Sequence, residues 1–246
     1  MKNQENLQIK PTTNPLDWRN GNPTDMCKSW YMIWYKAPWN FGYFNAFKSK
    51  ESEYTTDVIE AFLELLKWRI DMIVKSGSTP IIVLPPRKNS WDQTMKFVVE
   101  NIEGVEFIKI KTPEYRGLHF LKDKEEREKT IESVFPKWKV KFNPEVLEKE
   151  NVHYIFVDDF YTTGTTTKAV FKAIQENTRL PEIKLVDDEL TNFDALYMAR
   201  TQNKRNAKSR NMWIVDFELS EKVNKLALDD KFKDNERDSS FYKKEK

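Results

Sequence analysis

Apolar positions along this chain recur in two alternating periods, and the alternation outlines its elements. From Thr56 to Lys75, Val58, Ile59, Phe62, Leu63, Leu66, Ile70 and Ile73 fall on one face of a helix. Asp57 with Glu60 resembles a capping pair at its start, and Gly77 suits its C-terminal stop. Pro80-Ile-Ile-Val-Leu-Pro85 is a short apolar run bounded by prolines, which predicts a buried strand. Ser90 and Gln93 form a capping box that opens a second helix through about Ile102, with Gly104 ending it. Val105 to Ile110 predicts another strand, and the charged stretch 112–133 a long connection that is helical from Lys122 to Ser133. Val152 to Asp158 predicts a third core strand, followed by a helix over roughly Thr165 to Asn177. Ala195 to Ala199 and Met212 to Phe217 predict two more strands.

Strands alternating with helices argue for an α/β fold, a mostly parallel sheet flanked by helices on both faces. Residues 1–29 carry Pro11, Pro15, Gly21 and Pro23 among polar residues and read as an irregular arm. Residues 30–47 are unusually aromatic, with Trp30, Tyr31, Trp34, Tyr35, Trp39, Phe41, Tyr43, Phe44 and Phe47. They predict a hairpin or a short cap. The expected organisation is an N-terminal arm and aromatic-rich hood over 1–50, an α/β domain over 51–230 and a polar tail over 231–246. No internal repeat is visible.

Composition narrows the class further. With 246 residues, 39% hydrophobic and 33% charged, the chain can bury one sizeable core. No apolar stretch approaches the roughly 20 residues that span a bilayer, and the N-terminus has no apolar core of a secretory signal. Cys27 is the only cysteine, so an internal disulfide is excluded and a reducing cytoplasm is the expected setting. The formal charge of +2 demands no nucleic-acid partner. The run Lys204 to Arg210 could touch phosphates, but a solvated loop between two strands is the plainer reading.

The chemistry concentrates in Tyr154-Ile-Phe-Val-Asp158-Asp159-Phe-Tyr-Thr162-Thr163-Gly164-Thr165-Thr166. An apolar strand ends in two carboxylates, and a hydroxyl-rich turn then opens a helix. Gly164 permits the positive φ or close approach that a phosphate cradle needs, and the helix N-terminus adds N–H groups and a positive dipole end. The loop holds no lysine and no Gly-x-x-x-x-Gly-Lys pattern, so it is not a Walker A loop. Carboxylates beside a phosphate repel it unless they face something else. The vicinal hydroxyls of a ribose are suitable donors to them, and Mg²⁺ would offset the charge. A ribose 5-phosphate fits this spacing.

This segment resembles the signature that binds phosphoribosyl pyrophosphate (PRPP) in type I phosphoribosyltransferases. Asp158 and Asp159 match the acidic pair, Thr162, Thr163, Gly164, Thr165 and Thr166 match the 5-phosphate loop, and Phe160 and Tyr161 fill two variable positions. The match covers about thirteen residues. A looser likeness is to the ComF-like branch of that family, associated with DNA uptake, through the Val-Asp-Asp-x-Tyr-Thr-Thr-Gly run, the charged stretch Lys122 to Phe135 and the strand Ala195 to Arg200. The chain departs from that branch in lacking a four-cysteine zinc ribbon and an Arg-Gly pair after the first core strand. The resemblance implies displacement of pyrophosphate from C1 of PRPP by a small-molecule acceptor, usually a base nitrogen or ammonia. It implies Mg²⁺ as cofactor, held by PRPP near Asp158 and Asp159 with no direct protein ligand. A homodimer or a place in a larger complex is compatible with it.

The same resemblance puts Arg87 and Lys88 against the leaving pyrophosphate, with solvated loop cations as the rival reading. It makes 112–133 a mobile loop, in which Arg116 beside Gly117 is the favoured catalytic donor and Lys122, Lys124 and Arg127 are weaker ones. An exposed helix laced with i,i+4 charge pairs competes with that reading. The segment 30–47 would cover the acceptor or simply pack. His119 could donate a proton, and His153 reads as structural at a strand start. The alternatives are a non-catalytic PRPP- or nucleotide-binding sensor or subunit, and then a phosphate-ester hydrolase using the Asp pair.

Overall fold

The helix predicted after residue 55 forms for the reason its pattern gives. In the computed structural model, which describes residues 27–35, 53–86, 98–113, 124–161, 164–186, 189–201 and 212–214, strand β1 spans Lys28–Tyr35 and helix α1 spans Glu53–Lys75. Ile59, Phe62, Leu63, Leu66 and Ile73 of α1 are buried together with Leu65. The helix closes on Gly77 at φ 80°, where the Gly77 N–H donates to the carbonyl of Val74 and that of Ser78 to Ile73.

The remaining elements follow in chain order. Strand β2 is Thr79–Val83, a helical turn occupies 98–100, and strand β3 is Glu106–Lys111. Helix α2 spans Lys124–Val134 and runs into a short 3-10 turn at Phe135–Lys137. Strand β4 is Lys139–Lys141, and Asn143 caps a second 3-10 turn at Pro144–Glu148 by accepting from the Glu145 N–H. Strand β5 is Val152–Tyr161 and helix α3 is Thr165–Gln175. Strands β6 (Leu185–Val186) and β7 (Glu189–Leu190) form a small hairpin, and β8 (Phe193–Thr201) and β9 (Met212–Ile214) complete the set.

One seven-stranded sheet has the order β4-β3-β2-β5-β8-β1-β9. Every pairing in it is parallel except β3 with β4. Side chains alternate between two cores. Ile82, Ile155, Val157, Leu196 and Met198 meet α1 on one face, while Ile81, Val83, Tyr154, Phe156, Ala195 and Tyr197 meet Val170, Phe171 and Ile174 of α3 on the other. The expected α/β class is therefore present, with a mostly parallel sheet covered on both faces. Among the described residues no helix is long and apolar enough to cross a membrane.

Residues 28–35 depart from the expected arm and hood. They form neither a hairpin nor a cap but a parallel strand between β8 and β9, in register Trp30↔Leu196 and Trp30↔Trp213. The reason is that this strand is apolar on both sides: Trp30 and Met32 pack on the α1 core, Cys27 and Tyr31 on the α3 core. The rest of the expected hood, 36–50, and the polar tail lie outside the described residues. In α2 the expected charge lacing is present as Glu125 with Lys129 at 3.9 Å, both exposed.

The strand-entry end of the sheet is fastened by polar contacts. Asp194 at the start of β8 is 2% exposed, and its Oδ2 lies 2.6 Å from both Nε and Nη2 of Arg69 on α1. The same oxygen is 2.7 Å from Nε2 of His153 on β5. Arg69 also lies over the Trp30 ring at 5.1 Å. Asn192 ties the segment before β8 to β5, accepting from the Lys184 N–H and donating to the carbonyls of Val152 and Glu182. Removing the shared carboxylate leaves the part-buried Arg69 guanidinium and the buried His153 ring without this partner. Asp194→Ala should lower the unfolding free energy by about 3 kcal/mol, and Asp194→Asn, which retains an acceptor, by less. Urea denaturation of the two variants checks that order.

Candidate functional site

At the opposite end, where the parallel strands finish, β5 runs past its neighbour. Its ladder to β2 ends at Val83↔Phe156, and its ladder to β8 passes from Asp158↔Tyr197 to Phe160↔Ala199 with Asp159 skipped. Backbone donors in this stretch are taken by side chains. Asp158 Oδ1 accepts from the Asp159 N–H at 3.0 Å, and Asp159 Oδ1 accepts from the Phe160 N–H at 2.8 Å. The alternation of faces reverses beyond this point: Phe160 packs with the α1 core, whereas Tyr161 joins the α3 core. The acidic pair is thus inside β5 rather than beyond its tip, because two carboxylates supply the acceptors that the ladder no longer gives. Both residues are buried, with 7% and 6% exposure.

Three residues past Tyr161 stands Gly164 at φ 73°, ψ 5°, the left-handed conformation that the phosphate-cradle reading requires of it. It is the residue that opens α3, and its carbonyl accepts the Lys168 N–H. Thr165 and Thr167 are buried, and Thr166 is half-buried. Beneath this turn, the Thr167 hydroxyl shares a hydrogen bond with the Tyr197 hydroxyl. Tyr197 is edge-on to both Phe156 and Tyr161. Burial pushes the Tyr197 phenol well above its ordinary pKa, with Cys27, Tyr161 and Asp158 acting the same way and the Thr167 hydrogen bond opposing them. Burial alone raises Tyr154, whose hydroxyl donates to the carbonyl of Pro181.

The sequence candidates divide as follows. Asp158, Asp159, Gly164, Thr165 and Thr166 come together along the end of β5 and the first turn of α3. Leu84, Pro85 and Pro86 leave β2 at the same edge of the sheet, with the Leu84 N–H bonded to Ile108. Arg87, Lys88, Arg116, Gly117, His119, Lys122, Thr162 and Thr163 lie outside the described residues. Lys124 and Arg127 are on α2. Among the described residues no group of three or more His, Cys, Asp or Glu side chains could hold a metal ion.

Two cations at this edge carry little weight in the sequence. Arg200, paired with Tyr161 across the β5–β8 ladder, lies over the rings of Tyr31 at 5.4 Å and Tyr161 at 6.0 Å. Its only sequence signal is its place at the end of an apolar run. Lys168 is 5% exposed in the first turn of α3. A lysine between Thr167 and Ala169, in a helix whose neighbours are apolar, is the signal that marks it.

No protein-family model matches the chain, and no curated protein matches it either.

The buried phenols define a pH dependence. A tyrosine whose pKa is raised by folding keeps its proton while the unfolded chain releases it near pH 10, so stability falls as pH rises beyond about 10. Urea unfolding at pH 8, 10 and 11 should show this fall. Tyr154→Phe with Tyr197→Phe should flatten it, while costing about 1 kcal/mol at pH 8 through the partners left behind.

Proposed function

We propose that the chain binds PRPP as a type I phosphoribosyltransferase does, and transfers its 5-phosphoribosyl group to a small-molecule acceptor with release of pyrophosphate. The observation that carries this reading is the order of parts along β5 and α3. Two buried acidic residues lie near the carboxyl end of a central parallel strand, and a left-handed Gly164 then opens a helix at the carboxyl edge of the sheet. Ligands of open parallel sheets bind beyond that edge. The α/β sheet, with helices on both faces, is the frame this family resemblance expects.

In this reading the N–H groups at the start of α3, with the hydroxyls of Thr162, Thr163, Thr165 and Thr166, hold the 5-phosphate. Asp158 and Asp159 face the ribose hydroxyls. The buried Lys168 and the Arg200 guanidinium bring positive charge to the same edge. Arg87, Lys88 and Arg116 meet the pyrophosphate. Two carboxylates alone do not make a cage for one ion; Mg²⁺ would come with the substrate, near Asp158 and Asp159, and would offset the charge of the pyrophosphate. The reaction needs no protein nucleophile. The chain positions C1 and stabilises an oxocarbenium-like charge, which the adjacent carboxylates favour.

One observation favours a second reading, a non-catalytic PRPP- or nucleotide-binding protein. Each acidic side chain already serves as a backbone acceptor, a task that a strand end has whether or not chemistry follows. Calorimetric titration with PRPP and Mg²⁺ tests binding, and pyrophosphate release over a panel of nucleobases and ammonia tests transfer. Asp158→Asn with Asp159→Asn keeps an oxygen acceptor at each position while removing the charge. It should weaken PRPP binding at least about tenfold, which is about 1.4 kcal/mol, at unchanged thermal stability. Binding without pyrophosphate release selects the second reading. No binding by the unaltered chain, or equal binding by the double variant, removes both.

A further inference from the structure

Arg69, Arg179 and Arg200 each lie over an aromatic ring, and the fold provides for them differently. Arg69 is over Trp30 at 5.1 Å and meets the Asp194 carboxylate at 2.6 Å. Arg179 is over Phe142 at 5.5 Å and is exposed, so water solvates it. Arg200 is half-buried beside Tyr31 and Tyr161. Among the described residues, no carboxylate and no hydrogen-bond acceptor meets its guanidinium. A ring face attracts the charge but offers no lone pair, so the N–H donors keep their full capacity. An arginine drawn out of water is normally given a partner. The fold supplies one to Arg69 and none to Arg200.

The place of Arg200 indicates where that partner comes from. It sits near the carboxyl end of β8, opposite Tyr161 of β5 and Trp34 of β1. Its two tyrosines belong to the α3 side of the sheet, where Tyr197 meets Thr167 in the first turn of α3. Tyr161 touches Tyr197 in turn, with ring centroids 5.1 Å apart. Contacts thus run without a break from the helix start proposed for the 5-phosphate to the guanidinium. Strands β2 and β8 flank β5 on opposite sides, and the chain leaving β2 is the one proposed to meet pyrophosphate. An acceptor that displaces pyrophosphate approaches C1 from the side away from the leaving group, which puts it on the β8 side, with Arg200. A neutral ring carbonyl there would accept a hydrogen bond but leave the charge uncompensated. A carboxylate meets both needs, because its paired oxygens match the fork of N–H donors.

We propose that Arg200 grips a carboxylate on the acceptor, so that the acceptor is a nitrogen heterocycle bearing an acidic group. The role of that ligand rests on the transferase reading; the anion site itself does not. The carboxylate only orients the ring and takes no part in the bond changes at C1. Calorimetric titration with matched probes tests this: a pyridine carboxylate against its carboxamide, and a uracil carboxylate against uracil. Each is titrated with and without PRPP and Mg²⁺. The chain should bind each carboxylate at least about tenfold more tightly than its neutral partner. Arg200→Gln should erase that preference. Arg200→Lys, which keeps the charge but not the fork, should retain part of it, and melting curves check that both variants are folded. An Arg200-dependent preference in a chain that binds no PRPP would keep the anion site and remove the transferase reading. A parent chain without the preference, whether or not PRPP binds, would overturn the proposal, as would a preference that persists in Arg200→Gln. A loss of PRPP binding in Arg200→Gln as large as the loss of carboxylate binding would assign the guanidinium to PRPP and overturn it too.

Discussion

A parallel strand buried on both faces must find an acceptor for every backbone N–H it carries, and in this chain that constraint falls hardest on β5. The strand lies at the middle of the sheet, with β2 on one side and β8 on the other. It outlasts β2 and crosses a gap in its ladder to β8. The acidic pair sits where acceptors run short. Asp158 and Asp159 are thereby fixed by the backbone before any ligand arrives. A carboxylate held in this way has given up side-chain freedom in folding, the preorganisation that the proposed transfer by positioning would use. The reversal of side-chain facing beyond Asp159 then sends Tyr161 under α3, against Tyr197, and lets the chain turn through Gly164 into the helix.

The two ends of the sheet are organised by different means. At the entry end, one carboxylate, Asp194, gathers Arg69 and His153 and joins α1 to β5 and β8. At the exit end, short-range contacts dominate: each Asp bonds to the next residue, and the phenol of Tyr197 lies beneath the first turn of α3. The entry end therefore supplies long-range fastening, and the exit end is left for a local constellation of polar groups. This division of labour is common to open α/β sheets, where loops carry function on a rigid frame.

Much of this is legible in the residue pattern, and the exceptions have physical causes. The periods of α1, β2, β3, α3 and β8 locate each within a few residues, because one apolar face or one buried run dominates each. Strand β1 reads as cap or hairpin because its tryptophans and tyrosines draw attention away from its two-sided apolarity, the mark of a buried parallel strand. The residue pattern stops β5 at Asp158 because acidic residues disfavour strands; only the gap in the ladder shows why they are tolerated. β4, β6 and β7 have two or three residues, too few to express a period. The contact of Arg69 with Asp194 joins positions 125 apart, and no local pattern announces it. At the candidate site, the Asp pair and Gly164 are visible as a motif. The Tyr197–Thr167 contact and the stacked Arg200 depend on strand register, which a single sequence does not display.

The position of β1 has a consequence for the order of assembly. This strand is made early, yet its neighbours in the sheet are β8 and β9, made last of all. During synthesis Trp30 can meet α1 early, but the backbone of β1 has no strand to pair with until residues past 190 have emerged. The hydrophobic middle of the protein thus closes only when both ends of the described fold meet, and the contacts that complete it are among the least local the chain makes. Folding of this sheet waits for the emergence of β8, and a chain shortened before it loses a central seam of the core rather than a peripheral strand.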